Sequence, residues 1–230
     1  MAARDLDSHN AEHPSNSKYA LLHTPTTNLP YIALTTRSQE AIYLTELYPT
    51  DAPTHQAALS IESVNNALIG PPKPYTLADA EWWIEHVRSG KAELSLSCLR
   101  VGSPDEKGTG IGGVALVPHD EDGFTFLRSG EPMGEGNRDC NIGYWLHPEF
   151  QGRGIMKEAV RALVNWGRRE CGVGDAILKV LETNLASRRV VEGMSEFIRV
   201  EGEKGVEWVE WPEKKGGGGK KKLLVWKWKK

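Results

Sequence analysis

Between Gln151 and Met156 the chain reads Gln-Gly-Arg-Gly-Ile-Met. Two glycines flank one basic residue, and helix-spaced Met156, Ala159, Val160, Leu163 and Gly167 follow. A glycine turn opening a helix presents bare backbone N–H groups, with the positive end of the helix dipole behind them. That is an anion site, best suited to phosphate. The glycines matter because a β-carbon would hold a ligand away from the backbone. A second polar cluster, Asn184 with Ser187, lies about thirty residues on. By itself it reads as a helix cap with a serine in the first turn.

Two elements must position the turn. Asn141 to His147 is rich in apolar and aromatic residues and reads as a strand that Pro148 ends. The helix runs to about Cys171, where Gly172-Val173-Gly174 stops it. Ala176 to Thr183 is a further strand, and Asn184 to Met194 a helix.

This stretch closely resembles the acetyl-CoA loop of the GNAT superfamily of N-acetyltransferases, with its pattern Gln/Arg-x-x-Gly-x-Gly/Ala. Gln151, Gly154 and Met156 fall on it, Met156 replacing the usual small residue. The wider run Gly143-Tyr144-Trp145-Leu146 through Met156 is similar to the branch that acetylates ribosomal-protein alanines. Asn184, Ser187 and Val191 resemble that branch's Asn-x-x-Ser-x-x-Val helix. The resemblance implies an α/β (α+β) domain. Its mixed, mostly antiparallel sheet has six to seven strands flanked by about four helices, and a splayed strand pair, 141–147 and 176–183, takes acetyl-CoA as co-substrate.

The resemblance also assigns roles. Backbone groups of Trp145, Leu146 and His147 pair with pantetheine, and an N–H near Leu146 or His147 polarises the thioester carbonyl. The N–H groups of Gly152, Arg153, Gly154, Ile155, Met156 and Lys157 hold the pyrophosphate, and Arg153 and Lys157 add charge. The Asn184 amide suits the amide-rich pantetheine, and Ser187 is a contact or proton donor near sulfur. Two departures stand out: Asn141 occupies a position where many relatives carry Glu, and Val191 one where many carry Tyr. Asn141 can still hold a water; otherwise proton removal falls to solvent or to His119, Asp139 or Glu149. The spacing from Gly193 to Phe197 also departs from the Gly-Phe pair of relatives and leaves the register of the last strands open. The acceptor pocket is expected around Gly70 to Trp83, with Tyr75 and Trp83 as contacts, and around residues 118–138.

The rest of the chain sets the frame. Its 230 residues fit a flexible tail over 1–29 and a single domain over 30–230. The net charge of −3 gives no global pull toward nucleic acid or membrane. Three cysteines without metal spacing suggest a reduced, cytoplasmic or nuclear setting and no metal. No run approaches the ~18 apolar residues of a membrane-spanning helix. Strands are expected near 31–36, 42–48, 93–101, 110–117, 197–203, 206–211 and 223–228. Helices are expected over 51–59, 61–67 and Thr76 to Gly90, the last carrying Ala80, Trp83, Ile84 and Val87 on one side.

Gly108 to Gly113 spells Gly-x-Gly-x-x-Gly, but a charged turn precedes it and strand-like Val114 to Val117 follows. A dinucleotide site needs a strand before the string and a helix after it, so that reading is rejected. The tract Glu213 to Lys222 reads as a flexible, solvated hairpin loop, or alternatively as an arm for an acidic partner. Trp226 and Trp228, two apart, should share one sheet face.

The expected function is acetyl-CoA-dependent transfer of acetyl to an amine, on a small molecule or a peptide, by a monomer or homodimer. No nucleic acid or membrane partner is expected. The alternative is a CoA-binding module of the same fold without turnover.

Overall fold

A computed structural model describes residues 18–36, 40–89, 96–118 and 138–229. Ten strands make one sheet: β1 (Leu22–His23), β2 (Pro30–Leu34), β3 (Ile42–Thr45), β4 (Cys98–Val101), β5 (Thr109–Pro118), β6 (Arg138–Leu146), β7 (Val173–Leu181), β8 (Phe197–Arg199), β9 (Val206–Glu210) and β10 (Lys220–Trp228). Among the described residues five helices flank it: α1 (Ala52–Ser60), α2 (Glu62–Asn65), α3 (Leu77–Arg88), α4 (Ile155–Glu170) and α5 (Leu185–Glu192). The mixed α/β class is the expected one, with more strands than the six to seven foreseen.

The order along the sheet is β1-β2-β3-β4-β5-β6-β7-β10-β8, with β9 also on β10. Among the described residues only β6 and β7 run parallel. Helix α4 makes that crossover. Its apolar stripe (Ile155, Met156, Ala159, Val160, Leu163, Val164) packs on one sheet face with Leu44, Leu99, Leu116 and Leu178. The opposite face is covered by α1 and α3 through Ala52, Leu59, Ala80, Ile84 and Val87, with Tyr75 just before α3. Trp226 and Trp228 are both buried in the α4-side core, and Trp228 meets Phe197 edge-on at 5.1 Å.

One ion pair fixes α1 to the sheet. Arg100 on β4 and Asp51 are almost fully buried and pair at 2.6 Å and 2.9 Å through both guanidinium nitrogens. The Gly108 carbonyl and the Tyr48 ring, 4.5 Å from the guanidinium carbon, complete the enclosure. A charge this deep holds only because each donor has an acceptor.

Residues 18–29 touch the body of the domain at a few points: Tyr19 is buried, its hydroxyl donates to Glu158 at 3.2 Å, and Arg169 bonds its carbonyl at 3.0 Å. The Glu213–Lys222 tract is the expected hairpin connection, between the antiparallel strands β9 and β10, but Lys215 in it is buried and not solvated. Residues 213–215 form a turn, Gly216 to Gly219 all take positive φ, and β10 begins at Lys220. The Gly108–Gly113 string lies mostly in β5, where Gly112 and Gly113 leave room for Trp145 and Leu146.

Candidate active site

β6 and β7 pair from Arg138 with Val173 to Ile142 with Leu178, and no further. Beyond that point Gly143 to Leu146 and Lys179 to Leu181 diverge, each still held on its far side by β5 or β10. The alternation of a strand decides which groups face the gap. The His147 N–H donates to the Ile111 carbonyl at 2.8 Å, so His147 and Trp145 turn their backbone toward β5. Tyr144 and Leu146 turn theirs toward the gap. The Leu146 carbonyl accepts from Gln151 Nε2 at 2.9 Å, leaving the Leu146 N–H aimed into the opening.

At the head of the gap sits the glycine turn. Gly152 and Gly154 both adopt left-handed φ, +76° and +80°, with Gly154 capping α4. An added β-carbon at either would meet no protein atom within 4 Å. The glycines are therefore needed for backbone shape, and the space beside them is open. The first-turn N–H groups of α4 have no intrahelical acceptor and can meet an anion there.

On the other wall, Asn184 Oδ1 accepts from the Ser187 N–H at 3.0 Å and caps α5. The Ser187 hydroxyl lies 2.7 Å from the Tyr144 hydroxyl, which crosses from β6. Burial pushes the Tyr144 phenol up to about 12, so it holds its proton at neutral pH. These groups line a cavity of about 880 Å³ that passes through the gap to the α1/α3 face. There it meets Trp145, Asn141, Tyr75, Trp83 and His55. The His55 ring stands edge-on to Trp145 at 5.1 Å, with Nδ1 3.5 Å from the Tyr75 hydroxyl. Burial lowers its pKa to about 4, and Asp51 opposes this only in part.

Residues 42–194 match the acetyltransferase (GNAT) domain family. The chain belongs to the GNAT acetyltransferase family. No curated protein matches it in sequence. Solved structures match in fold. RimL, a ribosomal L7/L12 alpha-N-protein acetyltransferase, aligns at TM-score 0.58 and 18% identity over 90% of this chain and 98% of its own. Mycobacterium smegmatis RimJ, in complex with CoA-disulfide, aligns at TM-score 0.61 and 15% identity over 86% and 85%. Salmonella typhimurium yncA, with its cofactor acetyl-CoA, aligns at TM-score 0.53 and 16% identity over 82% and 92%.

Within this GNAT domain the residues singled out by sequence separate into groups. Asn184, Ser187, Asn141, Trp145, Tyr75 and Trp83 line the cavity, while Leu146 and Gln151 meet at the C-terminal end of β6, where Gly152 and Gly154 follow. His147 spends its N–H on β5, so only Leu146 remains of the two expected carbonyl donors. Arg153 is drawn from the expected phosphate role by Glu40 at 2.6 Å and the Glu149 carbonyl at 2.6 Å. Lys157 donates to the Gly193 carbonyl at 3.1 Å from an exposed position. The side chains of Ile155 and Met156 are buried in the core, leaving only their backbone for a ligand. Val191 is core as well. Of the other proton acceptors considered, Asp139 accepts from the Asp175 N–H at 2.9 Å, Glu149 lies beside His147 at 3.7 Å, and His119 lies outside the described residues, as does most of 118–138.

Sequence reasoning missed Tyr144 and His55. The signal for Tyr144 was its parity with Leu146, which sends both toward the same gap.

Among the described residues no cluster of three or more His, Cys, Asp or Glu could hold a metal ion, and no helix is long and apolar enough to cross a membrane.

Proposed function

We propose that the chain moves an acetyl group from acetyl-CoA to a primary amine. The observation that carries this is the gap between β6 and β7, with the Leu146 N–H on one side, the Tyr144–Ser187 hydroxyl pair on the other and the glycine turn at its head. The unpaired edge of β6 suits pantetheine as an added strand. The open space beside Gly152 and Gly154 suits pyrophosphate.

In this reading the amine enters from the α1/α3 side and meets the thioester beside Asn141 and Trp145. Placement supplies most of the rate. The nitrogen lone pair forms the new N–C bond while the Leu146 N–H stabilises the carbonyl oxygen. The C–S bond then breaks. The proton shed by nitrogen leaves through solvent held near Asn141, and sulfur takes one from Ser187, which Tyr144 orients and resupplies. The hydroxyl that relatives supply at Val191 is here supplied from β6.

Calorimetric titration of acetyl-CoA and CoA, with Gly154→Glu alongside, tests the cofactor. A thiol-release assay across amines tests turnover. Micromolar affinity abolished by the substitution, with CoA released on an amine, is the expected result. Affinity without release on any amine marks a CoA-binding module instead. No affinity in the wild type refutes both.

A further inference from the structure

Two apolar clusters border the acceptor end of the cavity. One lies under α1 and α3 and includes Leu59, Tyr75 and Ile84, with Leu68, Trp83 and Trp145 at its rim. The other gathers Leu181, Trp211 and Leu223, with Ile69 and Val209 at its rim. All five rim residues are half-buried and line the cavity. Leu68 and Ile69 are neighbours in the α2–α3 connection, so that connection spans both clusters. It is braced from outside. The Lys73 N–H donates to the Lys214 carbonyl at 2.8 Å, and Lys215 Nζ donates to the carbonyl and Oδ1 of Asn65 at 2.5 Å and 2.6 Å. The apolar walls are held apart before anything binds.

Between the walls the sheet carries almost no side chain. Register sets Gly113 beside Trp145 and Ala115 beside Gly143. Alternation sends Gly143 to the face of Trp145, away from Ile142 and Tyr144 on the α4 side. Gly143 is exposed and lines the cavity, and an added β-carbon there meets no protein atom within 4 Å. Its φ is not left-handed. Neither backbone shape nor packing therefore calls for glycine at 143. What the missing side chain provides is room, next to the splayed strands.

The charges of the lining are balanced. They are Asp79, Lys179, Glu210 and Lys214, two of each sign. Lys179 pairs with Glu207 at 2.7 Å, and Glu210 with Lys220 at 3.4 Å. Asp79 accepts from the Thr76 N–H and hydroxyl at 2.8 Å and 2.6 Å, and the charge of Lys214 acts on it too. Neither sign is left over to select a charged acceptor. A peptide is poorly served as well. Pro71, Pro72 and Pro212 in the lining have no N–H, and the rim beside them is hydrocarbon, so peptide amides would lose water for few partners.

We propose that this end of the cavity takes a small-molecule primary amine with a neutral, apolar body, which lies over Gly143 and packs against Leu68, Ile69 and Val209. Burial of hydrocarbon drives the recognition, in a cavity whose 880 Å³ is on the scale of a drug-sized ligand. The inference rests on the acetyl-transfer reading above and names its acceptor class.

The test uses the full chain and straight-chain amines from propylamine to hexylamine. 6-Aminohexanoate and 1,6-diaminohexane match hexylamine in length but end in a charge, and trileucine supplies an apolar peptide. Acetylation is read as CoA release, and binding to the CoA-loaded protein by calorimetry. In the wild type kcat/KM should rise about fourfold per methylene. Both charged probes and the peptide should fall at least tenfold below hexylamine. Ile69→Asn should flatten the rise, and Gly143→Val should cut kcat/KM for hexylamine more than for propylamine. Ile198→Asn, at an exposed isoleucine on β8 outside the lining, should leave the rise alone. A flat series in the wild type, a charged probe or the peptide equal to hexylamine, or a rise unmoved by both Ile69→Asn and Gly143→Val overturns the proposal. So does a flat amine series with kcat/KM rising from acetyl-CoA to hexanoyl-CoA, which gives the space to the acyl chain. Binding of acetyl-CoA with neither acetylation nor binding of any amine also overturns it and leaves the cofactor reading intact. Failure of acetyl-CoA itself to bind removes that reading, and the acceptor assignment with it.

Discussion

Replacing Gly154 with alanine separates backbone strain from ligand exclusion. Gly154 sits at φ +80°, and a β-carbon there meets no protein atom within 4 Å. The free protein should therefore lose only the cost of a left-handed alanine, about 1–2 kcal/mol. For a chain of this size that is a fall of roughly 2–8 °C in Tm. Gly102 is a matched control in the β4–β5 turn: its φ is +90°, and its surroundings are equally open. Gly102→Ala should lose stability by a similar amount. CoA affinity should divide the two. A β-carbon beside the α4 N-terminus displaces phosphate from N–H donors, and one lost charge-assisted bond costs about 1.5–3 kcal/mol, roughly 10- to 100-fold in Kd. Thermal denaturation and calorimetry on both variants give the four numbers needed. If Gly154→Ala melts like Gly102→Ala and binds CoA like the wild type, the turn is not the phosphate cradle.

Three further predictions follow from other parts of the molecule. Arg100→Met strands the buried Asp51 carboxylate, so the denaturant midpoint should report a loss of about 3–5 kcal/mol, and adding Asp51→Asn should restore part of it. Tyr144→Phe and Ser187→Ala should each lower kcat by about 10- to 100-fold while CoA Kd stays within about threefold; unchanged kcat in both would remove the hydroxyl pair from the proton path. His55 has its folded pKa lowered to about 4 from 6.5, so the native state binds fewer protons than the unfolded chain between those values. Its contribution is fully present above pH 6.5 and is lost as pH falls toward 4, by about 3 kcal/mol. Equilibrium unfolding of wild type and His55→Gln across that window should show a shallower acid loss in the variant.

What the sequence revealed was local. Gly152 and Gly154 announced a turn opening a helix, and Asn184 announced a cap, because both depend on residues a few positions away. What it hid was carried by distant pairs. Arg153 looks like a phosphate ligand until Glu40, just before β3 and more than a hundred residues away in sequence, takes it. Tyr144 looks like an ordinary strand aromatic until α5 brings Ser187 to its hydroxyl. The tail from Lys18 has too few apolar residues to signal packing, yet Glu158 and Arg169 on α4 hold it. Lys215 belongs to a tract whose composition says solvent, and only the carbonyls of Asn65 explain its burial.

The parallel junction of β6 and β7 has a mechanical consequence. Strands β1 to β6 and strands β7 to β10 are each stitched by antiparallel ladders, and the two panels meet along a seam only a few residues long, bridged by α4. A molecule lodged in that seam replaces the missing ladder and joins the panels. The site is then also the hinge line of the sheet, and its occupant a rivet. Amide exchange should slow on binding in both panels, including strands that never touch the ligand.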